Sequence, residues 1–322
     1  MAKHSRFEQL DQAVQAMLAR PDARLVDVDP ALAPLLRVAA ELRDLPRPEF
    51  KERLKADLQR RASVATTTVS FIPAGYRTIT PYLTVRDPAG LIDFVKQAFG
   101  AEERFRGTGG AGGIHCEVRI DDAMLMIGGG GKWEGTPMPT SLHLYVKDAD
   151  AVYQRALDAG AISVQPPTDQ FYGDREAGVK DLAGNDWYIA TNKATGHVPE
   201  GSNTLMPFLH PKGADKLIEF LKRGLGAEEM QRSQSPEGVI QHAALKIGTS
   251  VIEMGEAHGE YQPMPAMFYL YVESCDAMYE RALQAGATSI SPPTDQSYGD
   301  RSAGVTDPFG NQWYFATHIK DV

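Results

Sequence analysis

The sequence is poor in cysteine: only Cys116 and Cys275 among 322 residues. Two thiols cannot build a disulfide framework or a thiolate zinc cluster. No apolar run approaches the roughly 20 residues that span a bilayer, so no membrane partner is expected. A basic surplus is also missing. Lys+Arg number 33 against Asp+Glu 42, a formal charge of −9, the reverse of a nucleic-acid footprint. The opening MAKHSRFEQLDQAVQAM lacks the apolar core of a secretion signal, which makes a cytoplasmic location the expectation. What is present is ordinary for a folded protein: 43% hydrophobic and 23% charged residues.

The dominant feature is an internal repeat. PPTDQFYGDR (166–175) returns as PPTDQSYGDR (292–301), nine of ten letters identical at an offset of 126. YVKDADAVYQRALDAGA (145–161) pairs with YVESCDAMYERALQAGA (271–287), and AGVKDLAGNDWYIAT (177–191) with AGVTDPFGNQWYFAT (303–317). Upstream, 81–103 pairs with 207–229. A unit of about 115 residues is a domain and not a solenoid repeat. The predicted organisation is a helical segment over 1–65, a linker over 66–75, one domain over 76–192, a Gly/Pro-containing linker over 193–203 and a second domain over 204–322. The helical segment carries apolar residues at helical spacing (Phe7, Leu10, Val14, Met17, Leu18). It reads as a cap or a dimerisation element, so the chain is expected as a monomer or as a homodimer through these helices.

Within repeat 1, TITPYLTV alternates and is rich in β-formers, as a strand requires. Leu91, Ile92, Phe94, Val95, Ala98 and Phe99 then form a helical stripe ended by Gly100. Three short strands follow, and the same order begins again at SLHLYV. The order βαβββ thus occurs twice per repeat and four times in the chain, which predicts an α+β fold with largely antiparallel sheets.

PYL-x-V, an amphipathic helix ending FGAEE, HCEVRIDD, LYVKDADA and YGDR…D-x-x-GN-x-W together resemble the vicinal oxygen chelate superfamily of glyoxalase I, extradiol dioxygenases and bleomycin-resistance proteins. The similarity is greatest to its PhnB-like branch. The resemblance implies two tandem domains of paired βαβββ modules, each pair curled into a cup that holds a ligand or a metal. It places family ligand positions at Thr80, His115, Ser141 and Tyr188 in repeat 1, and at Met206, His242, Met267 and Tyr314 in repeat 2. One histidine per cup and a tyrosine in place of the last carboxylate make a poor donor set for a divalent ion. No metal or other cofactor is therefore expected. A weaker alternative is a two-His-one-carboxylate site in domain 1 from His115, Glu117 and His143, which the strand alternation puts on one side.

The ligand-facing candidates are His115, Glu117, His143, Tyr145 and Tyr188 in repeat 1, and His242, Tyr269, Tyr271 and Tyr314 in repeat 2. Trp187 and Trp313 alternate with Tyr188 and Tyr314 and are assigned to the core. Tyr172, Asp174 and Arg175, with Tyr298, Asp300 and Arg301, are read as loop-pinning residues in which Asp and Arg pair and Gly173 or Gly299 supplies a positive-φ turn. GTGGAG (107–112) fits the dinucleotide fingerprint by letter but leads into a strand, not a helix, so no pyrophosphate site follows. GGGGKW (128–133) lacks the Ser/Thr of a phosphate loop and reads as a loop with Trp133 as a lid.

Three functions compete. The first is a metal-independent binder of a small organic molecule, for which aromatic walls with a few polar groups are suited. The second is a glyoxalase, lyase or dioxygenase-type enzyme using the domain 1 cup. The third is a structural or regulatory module. The first is favoured, with recognition concentrated in repeat 1.

Overall fold

In a computed structural model the described residues are 70–109, 112–259 and 261–321. The helices expected within 1–65 lie outside them. The four βαβββ modules are all formed. Module 1 holds β1 (Ile79–Val85), α1 (Pro88–Phe99), β2 (Glu102–Thr108), β3 (Ile114–Ile120) and β4 (Ala123–Gly129). Module 2 holds β5 (Ser141–Tyr145), α2 (Ala149–Asp158), β6 (Ile162–Asp169), β7 (Asp174–Lys180) and β8 (Asp186–Asn192). Module 3 holds β9 (Leu205–Leu209), α3 (Ala214–Phe220, continued by a π-turn over Leu221–Leu225), β10 (Glu228–Gln234), β11 (Ile240–Ile247) and β12 (Ser250–Met254). Module 4 holds β13 (Met267–Tyr271), α4 (Cys275–Gln284), β14 (Thr288–Asp295), β15 (Asp300–Thr306) and β16 (Gln312–His318).

The helix ends follow from their sequences. Asp87 caps α1 by accepting from Gly90 N at 3.0 Å, Pro88 occupies the first turn, and Gly100 closes the helix at φ 68°. Asp148 and Ser274 cap α2 and α4 in the same way. Gly213 starts α3 without a side-chain cap, and the Glu256 carboxylate accepts from Gly213 N and Ala214 N, both at 2.7 Å.

The strands assemble across the repeats. One eight-stranded sheet runs β14-β15-β16-β13-β1-β4-β3-β2, and the other β10-β11-β12-β9-β5-β8-β7-β6. The first joins modules 4 and 1 through the antiparallel β1–β13 pair, and the second joins modules 3 and 2 through β5–β9. The two large cores, in contrast, lie mostly within repeats, with Ile79 and Leu205 each reaching into the core of the other repeat. Leu83, Ile92, Val95, Leu142, Leu144 and Trp187 of modules 1 and 2 share one cluster, while Leu217, Ile252, Phe268, Leu270 and Trp313 of modules 3 and 4 share the other. Each repeat is thus glued by its helix-covered faces, and the opposite sheet faces are shared between repeats. An α+β fold of tandem βαβββ modules is what the sequence predicts. The expectation that the two modules of one repeat form one cup is corrected, because each sheet draws one module from each repeat.

The D-x-x-G-N-x-W signature has a structural cause. Asp181 Oδ1 accepts from the backbone N–H of Ala183 and Asn185, and Oδ2 accepts from Asn185 Nδ2 and Trp187 Nε1, at 2.8–3.0 Å. Asp307, Phe309, Asn311 and Trp313 repeat the arrangement. The corner satisfies the indole of a fully buried tryptophan, whose loss costs about 3–5 kcal/mol in a core. Both tryptophans are in the core, as their alternation with Tyr188 and Tyr314 requires.

Candidate functional site: two unlike cups

On the face turned away from the helices, each sheet carries polar and aromatic side chains. The sheet of modules 1 and 4 forms cup A. Tyr82 of β1 hydrogen-bonds His115 Nδ1 of β3 at 2.9 Å, and His115 Nε2 lies 3.3 Å from Glu117 Oε1. The Tyr76 hydroxyl donates to Glu117 Oε2. The Tyr76 ring meets Tyr271 edge-on at 5.4 Å, and Tyr271 meets Tyr269 at 5.3 Å. Tyr269 donates to Asp300 Oδ2 at 2.9 Å, and Asp300 Oδ1 accepts from His318 at 2.8 Å. Phe105, half exposed on edge strand β2, extends the wall beyond His115, with ring centroids 6.0 Å apart.

Burial pushes the Tyr82 phenol up to about 12, helped by the nearby Tyr314, Glu117 and Tyr298. Tyr76, Tyr269, Tyr271 and Tyr314 are raised as well, each chiefly by burial. All five are neutral phenols at any physiological pH. Glu117 behaves oppositely. Burial favours its neutral form, but the donors His115 and Tyr76 outweigh burial and hold it below the usual carboxylate range.

Cup B is built from modules 2 and 3. His143 of β5 is 6% exposed and donates from Nδ1 to Glu253 Oε2 of β12 at 2.8 Å. Its Nε2 has no hydrogen-bond partner and lies 3.6 Å from Glu176 Oε2 of β7. His242 Nε2 of β11 approaches Glu253 Oε1 at 3.5 Å, and Tyr172 donates to Glu176 at 3.2 Å. The result is a chain, Tyr172–Glu176–His143–Glu253–His242, that crosses from repeat 1 into repeat 2. Burial alone would raise Glu253, but the two imidazoles hold it at about 2. Burial alone would lower His143, but Glu253, Glu176 and Asp174 raise it. The carboxylates thus favour the protonated form of His143, and the imidazoles the ionised form of Glu253. Burial raises Glu176. On the same face, Tyr188 hydrogen-bonds His210 Nε2 at 3.2 Å, and burial, then His258, lowers His210 to about 4.

The sequence-derived candidates are redistributed by this topology. His115 and Glu117 lie in cup A with Tyr269, Tyr271 and Tyr314, whereas His143, Tyr145 and Tyr188 lie in cup B with His242. His115, Glu117 and His143 therefore do not form one ligand set, since His143 belongs to the other sheet. The single repeat 1 cup is likewise split in two. Tyr145 and Tyr271 are 5% exposed and act as floor groups; Tyr145 donates to Asp174 at 2.8 Å. The loop-pinning pairs also differ from expectation. Asp174 accepts from Tyr145 and Asn192, and Arg175 instead forms a bidentate bridge to Asp150 at 2.7 Å. Arg301 does the same with Asp276. Neighbouring strand residues point to opposite faces, so Asp174 faces the cup and Arg175 the helix side. Gly173 and Gly299, at φ 102° and 96°, make the expected turns, with Tyr172 and Tyr298 half-exposed beside them. Trp133 takes the Arg86 guanidinium 5.9 Å from its ring.

Sequence reasoning missed Glu253, Glu176, His210, Tyr76 and Tyr82. Glu253 had a readable signal: the one charge in the strand SVIEM, where repeat 1 has Met126.

A metal is a poor fit to these donors as placed. Both imidazoles around Glu253 are directed at its carboxylate, the two imidazoles of cup A are each engaged with a carboxylate (His115 with Glu117, His318 with Asp300), and among the described residues no three His, Cys, Asp or Glu side chains converge on a point.

Comparison with known proteins accords with the architecture. An uncharacterized protein of Mycobacterium bovis is 39% identical over 129 residues, covering 37% of this chain and 85% of its own length. An uncharacterized protein of Mycobacterium tuberculosis shows the same identity over 76% of its length. Glyoxalase I from Zea mays superposes with a TM-score of 0.59 at 13% identity, covering 75% of this chain and 92% of that one. A putative dioxygenase from Bacillus subtilis gives 0.52 at 13%, over 78% and 87%. These two likenesses concern the fold alone. The profile of the glyoxalase/bleomycin resistance protein/dioxygenase superfamily matches residues 77–189 and again 209–315. With both repeats matched and the modules arranged as described, the chain belongs to that superfamily.

Proposed function

We propose that the protein binds a small organic molecule in cup A and does so without a catalytic metal. The observation that carries this reading is the tyrosine wall. Tyr76, Tyr82, Tyr269, Tyr298 and Tyr314 present part-exposed rings on one face of the sheet, and the hydroxyls of Tyr76, Tyr82 and Tyr269 are held by Glu117, His115 and Asp300. Aromatic walls with few polar groups suit a flat ligand. We read 76–192 and 204–322 as the two domains of a PhnB-like protein that works in the cytoplasm, as a monomer or as a homodimer through residues 1–65. The test is a thermal-shift screen of flat heteroaromatic compounds against the wild type and the Tyr82→Ala/Tyr298→Ala double variant. Compounds that stabilise the wild type should fail to stabilise the variant. A screen in which every stabilising compound acts equally on both proteins contradicts the reading.

A second reading, an enzyme of the glyoxalase, lyase or dioxygenase type, is favoured by one observation. The buried His143, ion-paired on one side and flanked by Glu176 on the other, has the form of an acid–base group. Turnover that His143→Gln abolishes while the fold is retained would establish it.

A further inference from the structure

We propose that cup A is a receptor for a flat organic cation, such as an N-alkylated heteroaromatic ring, held over the faces of Tyr82, Tyr298 and Tyr314 with Glu117 as its counter-charge. The proposal rests on the reading of cup A as the ligand site and adds the chemical class.

Three observations lead to it. The first is the orientation of the walls. Tyr82 is tied to His115, Tyr76 to Glu117 and Tyr269 to Asp300. Among the receiving rings, Tyr82 and Tyr314 lie over Gly128 and Gly304, where an added Cβ would meet ring carbons at 2.8 and 2.9 Å; the π face turned away from the strand is left to a ligand, and the negative face of an aromatic ring attracts cations. Tyr82, tethered to His115, is fixed before binding, which lowers the ordering cost there.

The second is the charge balance. Glu117 is ionised and partly accessible, with 20% of its side chain exposed, and neither of its partners is a permanent cation. The other cup A carboxylate, Asp300, is matched by His318, whose proton Asp300 and Asp321 hold against the effect of burial. The nearby guanidiniums are already paired: Arg119 with Glu102 at 2.7 Å, Arg77 with Asp122, and Arg301 with Asp276 and Asp295. One carboxylate set in an aromatic wall, without Lys or Arg, has the character of a cation site.

The third is an internal control. At the matching positions of cup B, Glu117 is replaced by Ala244, Tyr76 by Ser202, Tyr82 by Phe208 and Tyr269 by His143. The carboxylate and the phenol that holds it are absent together from cup B. There Glu253 stands at the position of Met126 and is matched by imidazoles. The two halves of the cation site therefore change together between the cups.

The test compares N-methylquinolinium with 1-methylnaphthalene, which has the same shape and no charge. Calorimetric or tyrosine-fluorescence titration of the full chain should give at least tenfold tighter binding of the cation, weakening as salt is raised. Glu117→Gln should reduce cation affinity about tenfold and leave the naphthalene unchanged; Ala244→Gly in cup B should alter neither. Equal affinity for the two compounds overturns the cation assignment while leaving cup A as a ligand site. Cation binding unaffected by Glu117→Gln overturns the assignment of the counter-charge and with it the proposal. Absence of binding by the cation also overturns it, whereas the broader reading of cup A falls only if the heteroaromatic screen also gives no hit sensitive to Tyr82 and Tyr298.

Discussion

Cups A and B share one scaffold and differ in where they place charge. Both keep a histidine on the third strand of a module (His115, His242), a tyrosine on the last strand (Tyr314, Tyr188), and an aspartate in the YGDR run that accepts from a tyrosine, although from non-matching positions (Asp300 from Tyr269, Asp174 from Tyr145). Cup A sets one carboxylate, Glu117, among phenols near its surface. Cup B puts a carboxylate–imidazolium pair, Glu253 and His143, into the dry interior and covers it with Glu176. Duplication retained the groups that shape the sheet, and divergence fell on the faces a ligand would meet. The lesson is that the two cups have separated into a pre-formed aromatic surface and a buried polar network, and a single sheet geometry supports both.

The comparison can be broken most forcefully in cup B. Removing one member of a buried ion pair leaves the other charge uncompensated, a cost of about 3–5 kcal/mol. Glu253→Leu should therefore destabilise the protein by about that amount in urea unfolding. Met126→Leu, at the matching place in cup A, should cost less than about 1.5 kcal/mol. Similar losses for the two would erase the difference between the cups.

The same pair should also make stability depend on pH. Glu253, held at about 2, contributes stability that is fully present above its unfolded value of about 4.3 and is lost as pH falls toward 2. His143 is raised, so its contribution is full below its unfolded value of about 6.5 and fades as pH rises through its folded value. The contribution is therefore greatest between about pH 4.3 and 6.5. Unfolding of wild type and of the His143→Leu/Glu253→Leu double variant across pH 2–9 should show the difference between them shifting against the wild type at both ends. A constant difference would mean that the pair is not charged.

A smaller effect concerns the two tyrosine–aspartate couples. Tyr269→Phe removes a donor from Asp300 but leaves it His318, which predicts a loss near 1 kcal/mol. Tyr145→Phe leaves Asp174 with Asn192 and should cost a similar amount. A large gap between the two would show that the couples are not equivalent.

Much of the fold was legible. The 126-residue offset, the apolar stripe ending at Gly100 and the D-x-x-G-N-x-W corner are local signals, and local geometry obeys them. The cups were legible only by face. Alternation states that Tyr188 and Trp187 point to opposite sides, but not which edge strand β5 will join. Because all four modules share one edge pattern, the β1–β13 and β5–β9 pairings have no signature in sequence, and with them went the separation of His143 from His115 and Glu117. Glu176 escaped notice for a related reason. It follows the nearly invariant YGDR run, and its divergence to Ser302 gains meaning only once His143 is seen beside it.

The most direct test of two functionally unlike cups is a crystal structure of the protein soaked with the most stabilising compound from the heteroaromatic screen. The account predicts density for the compound in cup A, against Tyr82 and Tyr298 and within reach of Glu117, with the His143–Glu253 pair intact. Density beside His143 in cup B, with cup A empty, would contradict it.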